Sequence, residues 1–216
     1  MTRSSISKID RHAVLRCVFA GLISGLLLAP SFALAQEYEQ LPVNLAQRSN
    51  VLAVQNMLRG NATLDAQIFN QFFSDFVFAQ LTVVEASPGA RPPVNPGKQR
   101  RDLFNRYFSA ATDAAALARL NEITLTAMQS LVDGPYHPGT RINAAIIIGL
   151  LDQQRAAGLG TTPVPLPAAE PVLLAYLAND EMADAIKVEA LVGLERHARY
   201  GGLAGGRRSE ASAAAL

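Results

Sequence analysis

Two histidines, His137 and His197, are the side chains beyond residue 35 best suited to hold a transition metal or to move a proton near neutral pH. Asp133 and Glu195 are the acids that stacked helices could bring to them. Their spacing points elsewhere. Neither histidine stands in a His-x-x-x-His or Glu-x-x-His arrangement, which would put two ligands on one helix face. His137, just before Pro138, reads as a turn residue, and His197 as a residue on a helix face. The chain has no Gly-x-Ser-x-Gly, phosphate loop, Cys-x-x-Cys-His or His-Glu-x-x-His, and no serine with a motif that would pair it with a histidine. Glu181 and Asp184 could work as a carboxylate pair, but acids at a helix start ordinarily complement the macrodipole. The expectation is therefore no catalytic, cofactor-binding or metal site. The alternative is a secreted enzyme, hydrolytic or metal-dependent, whose groups form no motif.

Other residues have surface chemistry. Lys98, Arg100, Arg101 and Arg106 interleave with Phe104, Tyr107 and Phe108. Such a segment could meet an anionic surface, but its simplest reading is an amphipathic helix with a solvated basic face. Asn61-Ala62-Thr63 has the form of a glycosylation acceptor, which matters only in a host that glycosylates.

The positions of these residues depend on what is exported. Arg3, Lys8, Arg11 and Arg16 face one acid, Asp10, ahead of an apolar stretch from Val18 to Ala29, Pro30 and the small-x-small triplet Ala33-Leu34-Ala35. This order predicts a signal peptide over 1–35, cleaved before Gln36; the apolar stretch is short for a membrane anchor. Of 19 basic and 18 acidic residues the leader holds four and one, so 15 and 17 follow it, a net charge of −2. That balance gives no footprint for nucleic-acid binding. The one cysteine, Cys17, lies in the leader, so the mature chain has no disulfide or thiolate site.

The mature chain reads as helices separated by proline and glycine. Alanine and leucine recur throughout, and tryptophan is absent. We expect helices over about 44–59 (stopped by Gly60), 64–85, 98–110, 113–132 (capped by Thr112), 141–157 (capped by Thr140), 170–178 and 184–200. The second has a broad apolar face of Ile68, Phe69, Phe72, Phe73, Phe76, Val77, Leu81 and Val84. The proline-rich stretches 87–97, 133–139 and 158–169 are connections, and the tail after Gly201-Gly202 is loose. Ile146-Ile147-Ile148 is β-branched, yet its alanine and leucine neighbours favour helix.

The second half repeats. Arg141-Ile142-Asn143-Ala144 matches Lys187-Val188-Glu189-Ala190 at an offset of 46, and aligning Gly149 with Gly193 gives 44. Both offsets fall in the range of two-helix repeats. Arg141-x-x-Ala144-Ala145-x-x-Ile148-Gly149-x-Leu151 resembles the second-helix signature of HEAT-like repeats. Leu120-Asn121-x-x-Thr124-Leu125, Tyr136-His137-Pro138 and Arg141-x-Asn143-Ala144 together resemble exported bacterial proteins of unknown function that contain such repeats. The resemblance covers about 113–200. The second copy has Lys187 for arginine and Glu195 where glycine would stand.

The resemblance implies an all-α fold: an α-α superhelix, a HEAT/armadillo-like solenoid segment over 112–200, preceded by a helical region over 36–111 and followed by the tail 201–216. It implies a secreted or periplasmic, non-enzymatic scaffold that binds a protein or peptide, with no nucleic acid and no membrane span once the leader is removed. Arg141, at a helix start, is expected to find Asp133 across the turn. The last helix is expected to leave its apolar face of Ile186, Ala190, Leu191, Gly193, Leu194 and Ala198 incompletely covered by the helix over 170–178 and the preceding repeat, open to self-association or a partner.

Overall fold

A computed structural model describes residues 38–83, 95–156 and 161–201. The expected leader and its cleavage point, the tail beyond residue 201, Val84 with most of the stretch 87–97, and residues 157–160 lie outside the described residues. What is described is mostly helical, with one short strand pair.

The first helix is built in two parts. Asn44 accepts a hydrogen bond from the Ala46 amide and starts a 3-10 turn, Leu45–Asn50, which passes into α1, Val51–Leu58. Gly60, at φ +75°, ends it. The Gly60 amide donates to the Met57 carbonyl and the Asn61 amide to that of Asn56, the paired bonds of a left-handed helix stop that glycine adopts without a Cβ penalty.

Asp65 caps α2, Ala66–Phe72, accepting from the Gln67 and Ile68 amides at 3.0 Å. The helix continues as a π-helical stretch, Phe73–Phe78, and closes in α3, Ala79–Leu81. The wider π turn lets Phe76, Val77, Phe78 and Ala79 all be buried, more than one face of a regular helix could turn inward. α4, Pro96–Arg106, starts on Asn95 with proline in its first turn, and a 3-10 turn, Phe108–Ala110, follows it.

α5, Ala114–Asp133, is capped by Asp113, not Thr112: the Asp113 carboxylate accepts from the Ala116 amide at 2.8 Å. α6, Pro138–Leu150, begins three residues before the expected start, because His137 Nδ1 accepts from the Gly139 amide at 3.0 Å. Thr140 is buried within α6 and donates to the Leu81 carbonyl at 3.3 Å. The isoleucine triplet is helical, as expected. α6 stops at Leu150, well short of 157, since Leu151 is extended and buried and Asp152 is held from two sides. Asp152–Gln154, β1, then pairs antiparallel with Val164–Pro165, β2. α7, Ala169–Ala178, and α8, Asp184–Tyr200, complete the described chain.

α5 packs on α6, α7 on α8, and α6 on both α7 and α8; α4 lies against α6 and α1 against α5. One apolar core runs through these contacts, from Val54 to Leu194. α6 and α8 come closest at glycines. A Cβ on Gly149 would lie 2.9 Å from the Gly193 Cα, and one on Gly193 would lie 2.8 Å from Leu173 Cδ1. No side chain fits between the two backbones.

Candidate binding surfaces

The residues of the repeat signature prove to be structural ties. Arg141 Nε donates to the Val132 carbonyl at 2.7 Å, at the C-terminal end of α5. Among the described residues no ion pair within 4.0 Å joins Arg141 to Asp133, which is exposed. The compensation expected from an acid comes instead from the unpaired carbonyls and negative dipole end of the preceding helix. Arg196 does the same for α6: Nη1 donates to the Gly149 carbonyl at 3.4 Å while Nη2 pairs with the Asp152 carboxylate. Buried Asn121 donates to the Asp152 carbonyl at 2.9 Å, and buried Asn143 accepts from Arg100 Nη1. The ends of α5 and α6 are thus tied to neighbouring helices through arginine and asparagine side chains.

The histidines have separate duties. His137 caps α6, and its ring meets the edge of Tyr38, centroids 5.0 Å apart. His197 is 2% exposed on the inner face of α8, with Nδ1 4.0 Å from Glu170 Oε2 and Nε2 without a hydrogen-bond partner. Burial pulls its pKa below the usual imidazole range; Glu170 opposes that shift and Arg196 adds to it. His197 is buried, while Glu170 is partly exposed. Among the described residues no group of three His, Cys, Asp or Glu side chains could hold a metal ion. Nor is any helix among them long and apolar enough to cross a membrane.

Two surfaces among the described residues bear most directly on binding. The first is a cleft of about 310 Å³ at the meeting of α4, the end of α6, β1 and α8. It is lined by Arg100, Arg101, Arg155 and Arg196 with one acid, Asp152, over the rings of Phe104 and Phe108, which stack 4.9 Å apart. The basic and aromatic segment noticed in the sequence supplies half of this lining. Its other members divide differently: Tyr107 is buried among the rings of Phe72 and Phe73, and Lys98 and Arg106 share Asp102 in exposed i,i+4 pairs. Arg155 and Arg196 lie far away in sequence, so spacing alone could not have joined them to it.

The second surface is the outer face of α8. Val188 is 58%, Leu191 45% and Val192 57% exposed, three apolar residues at i, i+3 and i+4. Asp184, Glu195 and Arg199 are exposed on the same face. The cover of the expected face is more complete than the residues suggested. Ile186, Ala190, Gly193 and Leu194 are buried against α6 and α7, Ala198 is half-buried, and Leu191 alone of that set is open. α8 carries apolar residues on two faces, and helical periodicity cannot say which one the neighbours take.

Compared with protein-family models, with curated proteins and with solved structures, the chain matches none.

Proposed function

We propose that this chain is an exported, non-enzymatic interaction protein that holds a protein partner on a helical-repeat surface. In this reading α5 with α6 and α7 with α8 are two HEAT-like pairs. Support comes from Gly149 and Gly193, which align in the two copies and meet in space as the contact between their second helices.

The observation that carries the function is the outer face of α8. Three adjacent apolar side chains, each about half exposed, lie on one face of α8, the last described helix. A helix that presents apolar residues at i, i+3 and i+4 fits another amphipathic helix. A second copy of α8 meets that requirement. Antiparallel pairing about Leu191 and Val192 sets Asp184 of each copy opposite Arg199 of the other and opposes the two macrodipoles.

The test uses the absence of cysteine beyond Cys17. A secreted chain carrying Leu191→Cys, oxidised in dilute solution, gives a disulfide dimer faster than one carrying Ala118→Cys, an exposed position on α5. Equal rates of cross-linking at the two positions would contradict the proposal.

A further inference from the structure

The arginine-lined cleft lies apart from the outer face of α8, and the interaction reading makes no use of it. Four arginines surround a single carboxylate there, in a chain whose acids outnumber its bases beyond residue 35. A local excess of cations of this kind focuses positive potential into a concave site.

The four are not equivalent. Arg100 is fixed by its bond to buried Asn143, and Arg196 by Asp152 and the Gly149 carbonyl, so two guanidinium groups are held in place before any ligand arrives. These two contribute fixed positive charge to the cleft. Asp152 is committed to its ion pair with Arg196 and makes none within 4.0 Å with the other three. Among the described residues neither Arg101 nor Arg155 has an ion pair within 4.0 Å, and both are exposed at the mouth. Apart from Asn105, the rest of the lining is apolar: the stacked pair Phe104 and Phe108, and Leu150.

Guanidinium forks recognise planar oxyanions through paired N–H···O bonds. Phe104 and Leu150 keep exposed surface that can accept an apolar body, and a bare ion would leave it facing water. A volume of about 310 Å³ is at the small end for ligand sites and suits a single residue or a small acid. We propose that this cleft is a binding site for a carboxylate carried on an apolar or aromatic group, with Arg101 and Arg155 engaging the carboxylate and Phe104 and Leu150 the apolar body. The C-terminal residue of a peptide and a free aromatic acid share this chemistry.

The experiment is calorimetric titration of the full chain with N-acetyl-phenylalanine, its amide, a tripeptide ending in phenylalanine with a free carboxylate, and inorganic phosphate. The free acid binds, the amide and phosphate bind at least about tenfold more weakly, and Arg101→Gln with Arg155→Gln lowers affinity for the acid by about tenfold or more, the effect of losing charge-assisted hydrogen bonds. Tripeptide binding at least as tight as that of N-acetyl-phenylalanine identifies a peptide end as the source; binding confined to N-acetyl-phenylalanine identifies a free acid. The two glutamines replace exposed side chains, and an unchanged helical signal and melting temperature confirm that the variant folds. The proposal is overturned if no titrant binds, if acid and amide bind alike, if phosphate matches the acid, or if the folded double variant keeps the parent's affinity.

Discussion

The two halves of the described chain fill their cores in opposite ways. Between α1 and α4 the space is taken by large rings: Phe69, Phe72, Phe73, Phe76, Phe78 and Tyr107 touch one another with centroids 4.9 to 5.7 Å apart. Between α6 and α8 it is taken by the near-absence of side chains, Gly149 against Gly193, with Ala144, Ala145 and Ala190 fully buried. A ring-filled core keeps its helices apart and depends on volume. A glycine-filled contact brings backbones together and depends on nothing being added. The first suffers most from truncation, the second from growth.

Four predictions sharpen or break this contrast. Phe73→Ala removes a fully buried ring with four aromatic neighbours and is expected to cost about 3–5 kcal/mol in denaturant unfolding. Gly193→Ala adds one methyl at 2.8 Å from Leu173 and 3.0 Å from the Gly149 Cα, and is expected to cost about 1–3 kcal/mol. An alanine tolerated there without loss would show that the two helices can part freely, and the contrast would fail.

Arg141→Ala leaves the carbonyl end of α5 without its cation and should lower stability by about 1–2 kcal/mol, with Asp133→Ala nearly silent. Equal losses in both variants would restore the ion pair that the geometry does not contain.

The smallest effect is a pH dependence. His197 has a folded pKa below its unfolded value of about 6.5, so the unfolded chain binds the extra proton first. Its contribution to stability is complete above that value and is lost as the pH falls from it toward the folded pKa. Unfolding curves of the parent and of His197→Gln should therefore draw closer on acidification through this window. A constant separation across it would mean that His197 is not buried uncharged.

Legibility in the sequence followed the range of the interaction. Gly60, the Asp184–Tyr200 helix and the phenylalanine-rich helix were readable because a turn residue or a periodic face lies within a few positions. The end of α6 was not. Nothing local at Leu151 forbids another turn; the stop comes from Asn121 on α5 and Arg196 on α8, dozens of residues away. The π turn was hidden for a related reason, as a nearly continuous run of apolar residues looks helical whichever turn it adopts. Aligning Gly149 with Gly193 rested on likeness, but that they touch is a fact of packing. The cleft was half legible, through Arg100, Arg101, Phe104 and Phe108, and lacked Arg155 and Arg196 until the fold brought them in.

The outer face of α8 is where the interaction reading is most exposed to test. Leu194 is 1% exposed, so a charge there would damage the core and say nothing about association; Val188 and Leu191 are the informative positions. The decisive measurement is the mass of the protein by light scattering over a wide concentration range, beside Val188→Glu with Leu191→Glu. The account predicts that the parent associates as concentration rises, and that the double variant stays monomeric with its helical signal and melting temperature unchanged. A parent that is monomeric at every concentration, or a variant that associates equally, would contradict it.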